Sequence, residues 1–422
     1  MKKKLAPFTL LLACLFFVPG NLLSAGGYFR VEKRAGVWWF VTPSGKLTLS
    51  IGVNNISYRG DVIHGTTQHP YFENISRIFP SKDAWAQAEL KRLSLWSFNT
   101  IGSWSDPALW NRTTPYTVIL NIAARSGADW LKGIPVDVYS QRFETTARKI
   151  AKEECGPRAE DPELIGYFSD NELRWGPDWR GKQNMLAMYL DLPSSAMGRQ
   201  HAIGFLRKRY SGQIDKLNNA WGVHANSFAN VPSESGTEAF STDNSEFLGI
   251  VARRYFEVCS HAIRAADPHH LYLGAKFAGT PPDPVLRASD RTDVVSVDIY
   301  RFDPRPIVEH IYKLAQRPVL VAEFAFRAED SGLPNTRGAG PKVPNQAGRA
   351  RAYADYVRWL ENLPEAVGYH WFEWCDEPRE GRFDGEDSNY GLVNIQDRSY
   401  MQFVTAVTQA NREAVSIHQS LK

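Results

Sequence analysis

The chain has 422 residues, of which 43% are hydrophobic and 23% are charged, and its net charge is +3. This composition supplies a globular core and excludes a largely disordered chain. Because no long basic run appears, neither nucleic acid nor a membrane surface is indicated as a partner.

The N-terminus is typical of an export signal. Lysines at 2–4 precede an apolar stretch over 5–18, and small residues follow at 24–26. This pattern predicts a secretory signal peptide over residues 1–25, and the stretch is short for a transmembrane helix. Residues 11–14 loosely resemble a lipoprotein cleavage site, but the apolar run continues past Cys14. We therefore expect a secreted or periplasmic protein, with an outer-membrane lipid anchor as the weaker alternative.

Three cysteines remain after the signal peptide, namely Cys155, Cys259 and Cys375. Their wide spacing favours buried thiols over a disulfide. No His-x-x-x-His or Cys-x-x-Cys pattern appears in the sequence, so we predict no metal site.

Short apolar strands alternate with helical segments along the chain. Residues 38–46 predict a hairpin within an N-terminal segment over 26–46. The predicted strands cover residues 47–53, 98–102, 117–122, 164–168, 271–277, 294–299, 318–322 and 366–371. The predicted helices cover residues 83–96, 138–152, 247–267, 306–315 and 346–362.

This alternation indicates the α/β class and a single (β/α)8 TIM barrel over residues 47–415. The stretch 173–246 is too long for an ordinary loop, so we interpret it as an insertion after strand four that forms part of a cleft wall. A doubly wound open sheet is the competing architecture. It usually carries a Gly-rich phosphate turn after its first strand, and none is visible here.

Polar and aromatic residues gather where the predicted strands end. They are Asn54, Trp104, Asp170, Asn171, Glu172, Lys276, Tyr300, Glu323, Trp371 and Glu373. Barrel enzymes place their active sites at the carboxyl ends of the strands, so we expect these side chains to surround one site.

Two glutamates at this predicted edge suggest a pair of catalytic carboxylates. Glu172 ends strand four and Glu323 ends strand seven, which lie across the barrel mouth from each other. Such carboxylates stand about 5 Å apart in retaining glycosidases and roughly 6.5–9.5 Å apart in inverting ones. We assign Glu172 as acid/base and Glu323 as nucleophile, a mechanism that needs no cofactor.

The other strand-end residues are expected to bind substrate. Asn171 is expected to hydrogen-bond a sugar 2-hydroxyl, and the hydroxyl of Tyr300 to hold the carboxylate of Glu323. Trp371 is expected to stack against a sugar ring. Glu373 is expected to bind hydroxyls, and Arg382 to pair with a neighbouring acid. Lys276 either binds a hydroxyl or an anionic substituent, or neutralises one of the two glutamates.

The motifs around these residues resemble a known family. Asn-Glu on strand four with Glu on strand seven is similar to the large clan of retaining glycosidases built on the (β/α)8 barrel. More closely, the chain resembles β-agarases and related β-galactan hydrolases, particularly glycoside hydrolase family 50. The matching segments are residues 98–106, 166–172, 321–324, 368–378, 381–382, 384–386 and 389–393. Residues 217–222 also resemble a segment of barrel β-galactosidases.

The resemblance implies a retaining β-glycosidase acting on a galactose-containing polysaccharide or its oligosaccharides. Those agarases usually carry a carbohydrate-binding-like N-terminal domain, whereas about twenty residues separate the predicted signal from strand one here. We therefore expect a more open cleft and leave the glycan open. The alternatives are a hydrolase of a β-glucan or β-mannan with the same mechanism, and a carbohydrate-binding pseudoenzyme.

Overall fold

The computed structural model describes residues 27–110 and 112–421. The predicted signal peptide lies outside them. A small antiparallel sheet comes first, formed by β1 (Arg30–Arg34), β2 (Val37–Val41) and β3 (Leu47–Thr48) in that order. The backbone N–H of Thr42 donates to the carbonyl of Lys46 at 2.9 Å, which closes the turn between β2 and β3. The hairpin predicted over 38–46 is therefore present.

A nine-stranded parallel sheet forms the centre of the molecule. Its strands are β4 (Ser50–Val53), β5 (Thr100–Ile101), β6 (Tyr116–Ile119), β7 (Leu164–Phe168), β8 (Leu271–Tyr272), β9 (Lys276–Ala278), β10 (Val295–Asp298), β11 (Val319–Phe324) and β14 (Ala366–Trp371). Two further short strands, β12 (Arg327–Ala328) and β13 (Lys342–Val343), pair with each other outside it. The order across the large sheet is β8-β7-β6-β5-β4-β14-β11-β10-β9.

The two ends of this sheet order are neighbours in sequence. Only residues 273–275 separate β8 from β9. An isolated parallel bridge joins Asn171, just beyond β7, to Lys276 at the start of β9. The strand predicted over 271–277 is thus present in two pieces, one paired with β7 and the other with β10.

Helices alternate with these strands. They are α1 (Pro70–Ile75), α2 (Lys82–Leu95), α3 (Ile122–Arg125), α4 (Gln141–Ile150), α5 (Met185–Leu190), α6 (Met197–Arg209), α7 (Ile214–Trp221), α8 (Glu238–Ala266), α9 (Asp283–Arg287), α10 (Arg305–Ala315), α11 (Gln346–Glu361) and α12 (Met401–Gln419). The stretch 173–246 after β7 holds α5 to α7 and the first turns of α8.

Several helices differ from the sequence prediction, which does not include α1, α3 and α9. Helix α8 begins at Glu238 rather than at 247, because Thr237 caps it by accepting from the N–H of Phe240 at 3.3 Å. Helix α12 was not predicted. Its buried face includes Asn411 and His418 among apolar residues, which weakens the hydrophobic periodicity that would have revealed it.

The small sheet packs against the amino ends of the large one. Phe29 and Phe40 share a buried cluster with Ile165 of β7, Leu320 of β11 and Val367 of β14, each the second residue of its strand. Apolar contacts therefore occupy the amino-terminal edge of the large sheet, and the polar strand ends lie at the opposite edge.

The three cysteines Cys155, Cys259 and Cys375 are buried free thiols, as predicted. Among the described residues, no helix combines the length and the apolar character that crossing a membrane requires.

Candidate active site

A cavity of about 760 Å³ lies at the carboxyl ends of the parallel strands. The side chains predicted at strand ends that line it are Trp104, Asn171, Glu172, Tyr300 and Glu323. The sheet topology explains this convergence, because parallel strands all end at one edge. Five of the ten predicted site residues therefore border one pocket.

One lysine lies among three carboxylates in the wall of this pocket. We call Glu172, Lys276, Asp298 and Glu323 the Lys276 cluster. One carboxylate oxygen from each of the three acids lies within 4.8 Å of the others. The ammonium of Lys276 contacts Glu323 directly and stands 3.7 Å from Asp298. It also donates to Asn171 at 3.1 Å, so Lys276 serves to neutralise acids, one of the two roles predicted for it.

Three carboxylates at this spacing also have the composition of a site for a divalent cation. Lys276, however, already supplies a positive charge in contact with Glu323. Its ammonium also lies 4.0 Å from the centre of the Trp104 ring. The donor set therefore fits an internal ion pair better than a metal ion.

The two glutamates have different surroundings. Burial, followed by the charge of Glu323, raises the pKa of Glu172 to about 7, with Lys276 and Arg180 opposing this rise. Glu323 is instead held on both oxygens, since Tyr300 donates to Oε2 at 2.6 Å and Lys276 contacts Oε1. The two carboxyl groups therefore differ in their contacts: Glu323 is bound on both oxygens, and Glu172 lies under the field of its neighbours.

Asp298 is a member of the cluster that the sequence reasoning missed. It is the last residue of β10, it is 1% exposed, and neither carboxylate oxygen has a hydrogen-bond partner among the described residues. Burial and the charge of Glu323 raise its pKa well above the usual range. The available signal was an acid within the apolar run Val-Val-Ser-Val-Asp-Ile at 294–299.

Three pocket residues have left-handed backbone conformations. The φ angles are 53° at Asn55, 60° at Trp104 and 43° at Glu172. Each residue follows a strand of the large sheet within a few positions. The reversal of backbone direction turns these three side chains toward the cavity rather than along the strand.

Asn54 and Asp170 do not line the main pocket. Asn54 is buried, donates to the carbonyl of Ala322 at 2.8 Å and accepts from the N–H of Ser103 at 2.9 Å. Asp170 accepts from the N–H of Ala123 at 2.8 Å and from the hydroxyl of Tyr255 at 2.6 Å. Asn54 therefore links strand ends, and Asp170 links the end of β7 to α3 and α8. Asp170 also lines a smaller cavity of about 180 Å³ next to Glu172, so its substrate contact stays a prediction.

Trp371 and Glu373 also lie away from the pocket. The Trp371 ring is fully buried, 5.1 Å from that of Phe403 in α12, so no face is free for a sugar. Glu373 is fully buried beneath Asn55, which donates to its Oε2. Phe372, between them, is the residue of this segment that lines the cavity. Sequence reasoning selected the wrong aromatic residue because alternate side chains of a strand face opposite sides.

A second cation-centred group borders the pocket. We call Glu377, Arg382, Asp384 and Glu386 the Arg382 cluster. The guanidinium pairs with Glu377 at 3.0 Å, with Asp384 at 2.9 Å and with Glu386 at 2.8 Å. The predicted pairing of Arg382 with a neighbouring acid is confirmed, and it involves three acids.

No family model matches the chain. Among curated proteins, beta-agarase A of Vibrio sp. (strain JT0107) is 33% identical over 391 residues, which cover 84% of this chain and 38% of that protein. Beta-agarase B of the same organism is 27% identical over 472 residues, which cover 93% of this chain and 49% of that protein. The chain is a homologue of the β-agarases. It spans half or less of the length of these curated relatives.

Solved structures agree with this homology. An exo-beta-agarase superposes with a TM-score of 0.83 at 25% identity, covering 94% of this chain and 66% of that one. The agarase AgWH50C superposes with a TM-score of 0.81 at 25% identity, and the match covers 94% of this chain and 65% of that one. PfGH50B, at 24% identity and a TM-score of 0.83, covers 96% and 68% and shares the fold. The predicted likeness to glycoside hydrolase family 50 is confirmed.

Further residues of this β-agarase homologue line the pocket without having been predicted as site residues. They include Asp61, Trp130, Trp179, Phe372 and Phe383. Phe372 belongs to a segment whose resemblance to agarases is visible in the sequence, and Phe383 lies between two such segments. Trp130 and Trp179 lie outside those segments, and only the three-dimensional structure brings them to the pocket.

Proposed function

We propose that this β-agarase homologue is a retaining β-glycoside hydrolase. The observation that supports the proposal best is the pair Glu172 and Glu323, whose oxygens approach within 4.8 Å in one pocket. Retaining glycosidases place their two carboxyl groups about 5 Å apart, and inverting enzymes need a wider gap for a water molecule.

The proposed reaction has two steps. In the first, the Glu323 carboxylate attacks the anomeric carbon while the Glu172 carboxyl group donates its proton to the departing glycosidic oxygen. The bond from the anomeric carbon to that oxygen breaks as the ester with Glu323 forms. In the second, Glu172 takes a proton from water, the resulting hydroxide attacks the anomeric carbon, and Glu323 is released as a carboxylate.

The surroundings of each glutamate suit its proposed role. With a pKa of about 7, Glu172 is protonated in about half of the molecules at pH 7, and this form is able to donate its proton. Lys276 and Tyr300 bind both oxygens of Glu323, which fixes its direction of attack.

We propose agarose or a related galactose-containing polysaccharide as the substrate, together with its oligosaccharides. The support is the homology to beta-agarases A and B, whose names state their substrate. The aromatic residues Trp104, Phe372 and Trp179 in the pocket wall offer the flat apolar surfaces on which pyranose rings stack.

The test combines product stereochemistry with covalent trapping. Proton NMR of the first product formed from an agaro-oligosaccharide should show the β anomer before mutarotation. A 2-deoxy-2-fluoro β-glycoside with a good leaving group should label Glu323, as detected by peptide mass spectrometry. An α anomer as first product would contradict the retaining mechanism. Cleavage of laminarin or mannan but not of any galactan would contradict the substrate.

We further propose that the nine strands close into an eight-membered (β/α)8 barrel over 47–415, with β8 and β9 acting as one interrupted strand and 173–246 as an inserted wall. The support is the pairing of β8 with β7, of β9 with β10 and of Asn171 with Lys276. Secretion or periplasmic export is proposed from residues 1–25 alone. N-terminal sequencing of exported protein tests it, and an uncleaved N-terminus would contradict it.

A further inference from the structure

Asp298 is a buried acid of the Lys276 cluster to which the two proposed reaction steps assign no role. It ends β10, the strand that lies between β9, which begins at Lys276, and β11, which carries Glu323. Its Cα pairs with that of Glu323 across the sheet. The Asp298 side chain borders the main pocket, and neither of its oxygens has a hydrogen-bond partner within the part of the chain that the structure describes. A buried polar group without a partner is rare and indicates a function.

Lys276 depends on one anion for direct pairing. Its side chain is fully buried, and its ammonium contacts the carboxylate of Glu323. The side chains of Asn171, at 3.1 Å, and Trp104, whose ring centre is at 4.0 Å, are neutral. The Oδ1 atom of Asp298 lies 3.7 Å from the ammonium, within ion-pair distance. A buried ammonium that loses its anionic partner is strongly destabilised.

The proposed first step removes the charge of that partner. Once Glu323 is an ester, it no longer neutralises Lys276. Glu172 gives up its proton in the same step, but it must face the reacting oxygen, and Lys276 influences it only through its field. Asp298 is therefore the carboxyl group that is placed to pair with the ammonium during the covalent intermediate.

We infer that Asp298 is the second counter-ion of Lys276, which ionises and pairs with the ammonium while Glu323 is esterified. In the first step the proton of Asp298 passes to water in the pocket. In the second step Glu323 regains its charge, and Asp298 takes a proton back from water. Over a full cycle Asp298 neither gains nor loses a proton. The inference rests on the proposed retaining mechanism and adds a positioning residue that acts through Lys276.

The electrostatics of Asp298 support this exchange. Burial raises the pKa of Asp298 most, the charge of Glu323 raises it next, and Lys276 lowers it. Esterification removes the charge of Glu323, so the pKa of Asp298 should fall when Lys276 loses its partner. The charge that Glu172 acquires opposes this fall, but it affects the pKa of Asp298 less than Glu323 does. The titratable groups around Asp298 include Glu172, Lys276, Tyr300, Glu323 and Tyr356.

The test follows protons during the first turnover. Glu172→Gln removes the proton of Glu172 and slows hydrolysis of the ester, whereas a dinitrophenyl glycoside of an agaro-oligosaccharide needs no acid to form the ester. In this variant, a pH indicator in stopped flow near neutral pH should show one proton released with each dinitrophenolate of the first burst. Adding Asp298→Asn, which keeps the shape of the side chain, should delay proton release to the slower hydrolysis phase.

Asp290→Asn in the same Glu172→Gln background is the control. The Asp290 side chain is 51% exposed and pairs with Arg253 at the surface, so early proton release should persist. A dinitrophenolate burst without an early proton in Glu172→Gln would overturn the inference and leave the retaining mechanism intact. Early proton release that persists after Asp298→Asn would also overturn it. Absence of any burst would refute the proposed covalent mechanism itself.

A second measurement needs only the single variant. Asp298→Asn should lower kcat/KM on an agaro-oligosaccharide about tenfold, because the first step then leaves Lys276 without a counter-ion. It should not lower kcat on the dinitrophenyl glycoside, which is limited by hydrolysis of the ester. A merely structural role of Asp298 would lower both constants. Equal losses of the two constants, or no loss of kcat/KM, would contradict the inference.

Discussion

The Lys276 cluster and the Arg382 cluster have the same composition and different geometry. Each contains three carboxylates around one cation. Arg382 presents five N–H donors in a planar fork and pairs with all three of its acids within 3.0 Å. Lys276 is a compact charge that contacts Glu323 and lies 3.7 Å from Asp298, and it acts on Glu172 only through its field.

This difference indicates a structural role for the Arg382 cluster and a catalytic role for the Lys276 cluster. The guanidinium of Arg382 contacts all three acids of its cluster, which belong to the segment that carries Phe383 into the pocket. In the Lys276 cluster the ammonium contacts only Glu323 directly, and burial raises the pKa of Asp298 well above its usual range and that of Glu172 to about 7. Perturbed groups of this kind mark sites of proton transfer. Substitutions in the two clusters should therefore affect different quantities.

Glu323→Gln should have the largest effect. Glutamine cannot form the proposed ester, so kcat on an activated β-galactoside should fall on the order of 10⁴-fold. Glu377→Gln is the matched control in the Arg382 cluster, where activity should change little and thermal stability should fall. Comparable activity losses in both variants would show that the clusters do not differ in function.

Glu172→Ala should have the second largest effect, and the loss of activity should depend on the leaving group of the substrate. General acid catalysis contributes about 10²–10⁴-fold, so the loss should reach that range on an oligosaccharide and be small on a substrate with an activated leaving group. Azide should restore turnover of the activated substrate and yield a β-glycosyl azide. Failure of azide to accelerate this variant would remove the support for the acid/base role.

The pH profile of the wild type follows from the same residue. Burial raises the pKa of Glu172 to about 7, and the proton is needed in the first step. Glu172 is mostly protonated below that pH and loses its proton above it, so kcat/KM on an oligosaccharide should fall about tenfold per unit above pH 7. The charged groups that act on this carboxyl are Glu323, Lys276, Arg180 and Glu386. A flat profile between pH 6 and 9 would contradict the assignment.

Lys276→Met should produce a smaller loss of activity and should shift the alkaline limb of the pH profile. Methionine matches the lysine in length and removes its charge, so Glu323 loses a partner and kcat should fall about 10²-fold. Because the ammonium lowers the pKa of Glu172, the alkaline limb should move above pH 7. Lys149→Met serves as the control, since Lys149 is 71% exposed on α4. An alkaline limb at the same pH in Lys276→Met and the wild type would show that Lys276 positions Glu323 without changing the pKa of Glu172.

Arg382→Lys should have the smallest effect on activity and a clear effect on stability. Lysine keeps the charge but cannot hold three acids at once, so the free energy of unfolding should fall by about 1–3 kcal/mol. Urea denaturation of this variant beside Arg253→Lys measures the difference, because Arg253 only pairs with Asp290 at the exposed surface. Equal changes in the free energy of unfolding of the two variants would contradict a structural role for the Arg382 cluster.

The sequence was most informative where a local pattern decides the structure. The apolar runs 164–168 and 366–371 were placed correctly as strands β7 and β14, and both glutamates were located at strand ends. Their meeting in one pocket followed from the parallel arrangement, which places all carboxyl ends at one edge.

The sequence prediction fails where it must decide whether a side chain faces the pocket or the core, and which residues distant in sequence it contacts. Trp371 and Phe372 are adjacent aromatics, and tertiary packing against Phe324, Tyr353 and Phe403 is what buries Trp371. Glu373 resembles a pocket acid in sequence, yet it is fully buried beneath Asn55. Trp130 and Trp179 meet through tertiary contacts. No local periodicity encodes these choices.

The left-handed backbone at Asn55, Trp104 and Glu172 imposes a trade-off on anyone who engineers this protein. Such conformations in residues other than glycine store on the order of 1–3 kcal/mol each. Glycine at these positions would relieve that tension but delete the side chains that form the pocket. Gains in thermostability are therefore better sought in the helices around the sheet, where a substitution does not trade activity for stability.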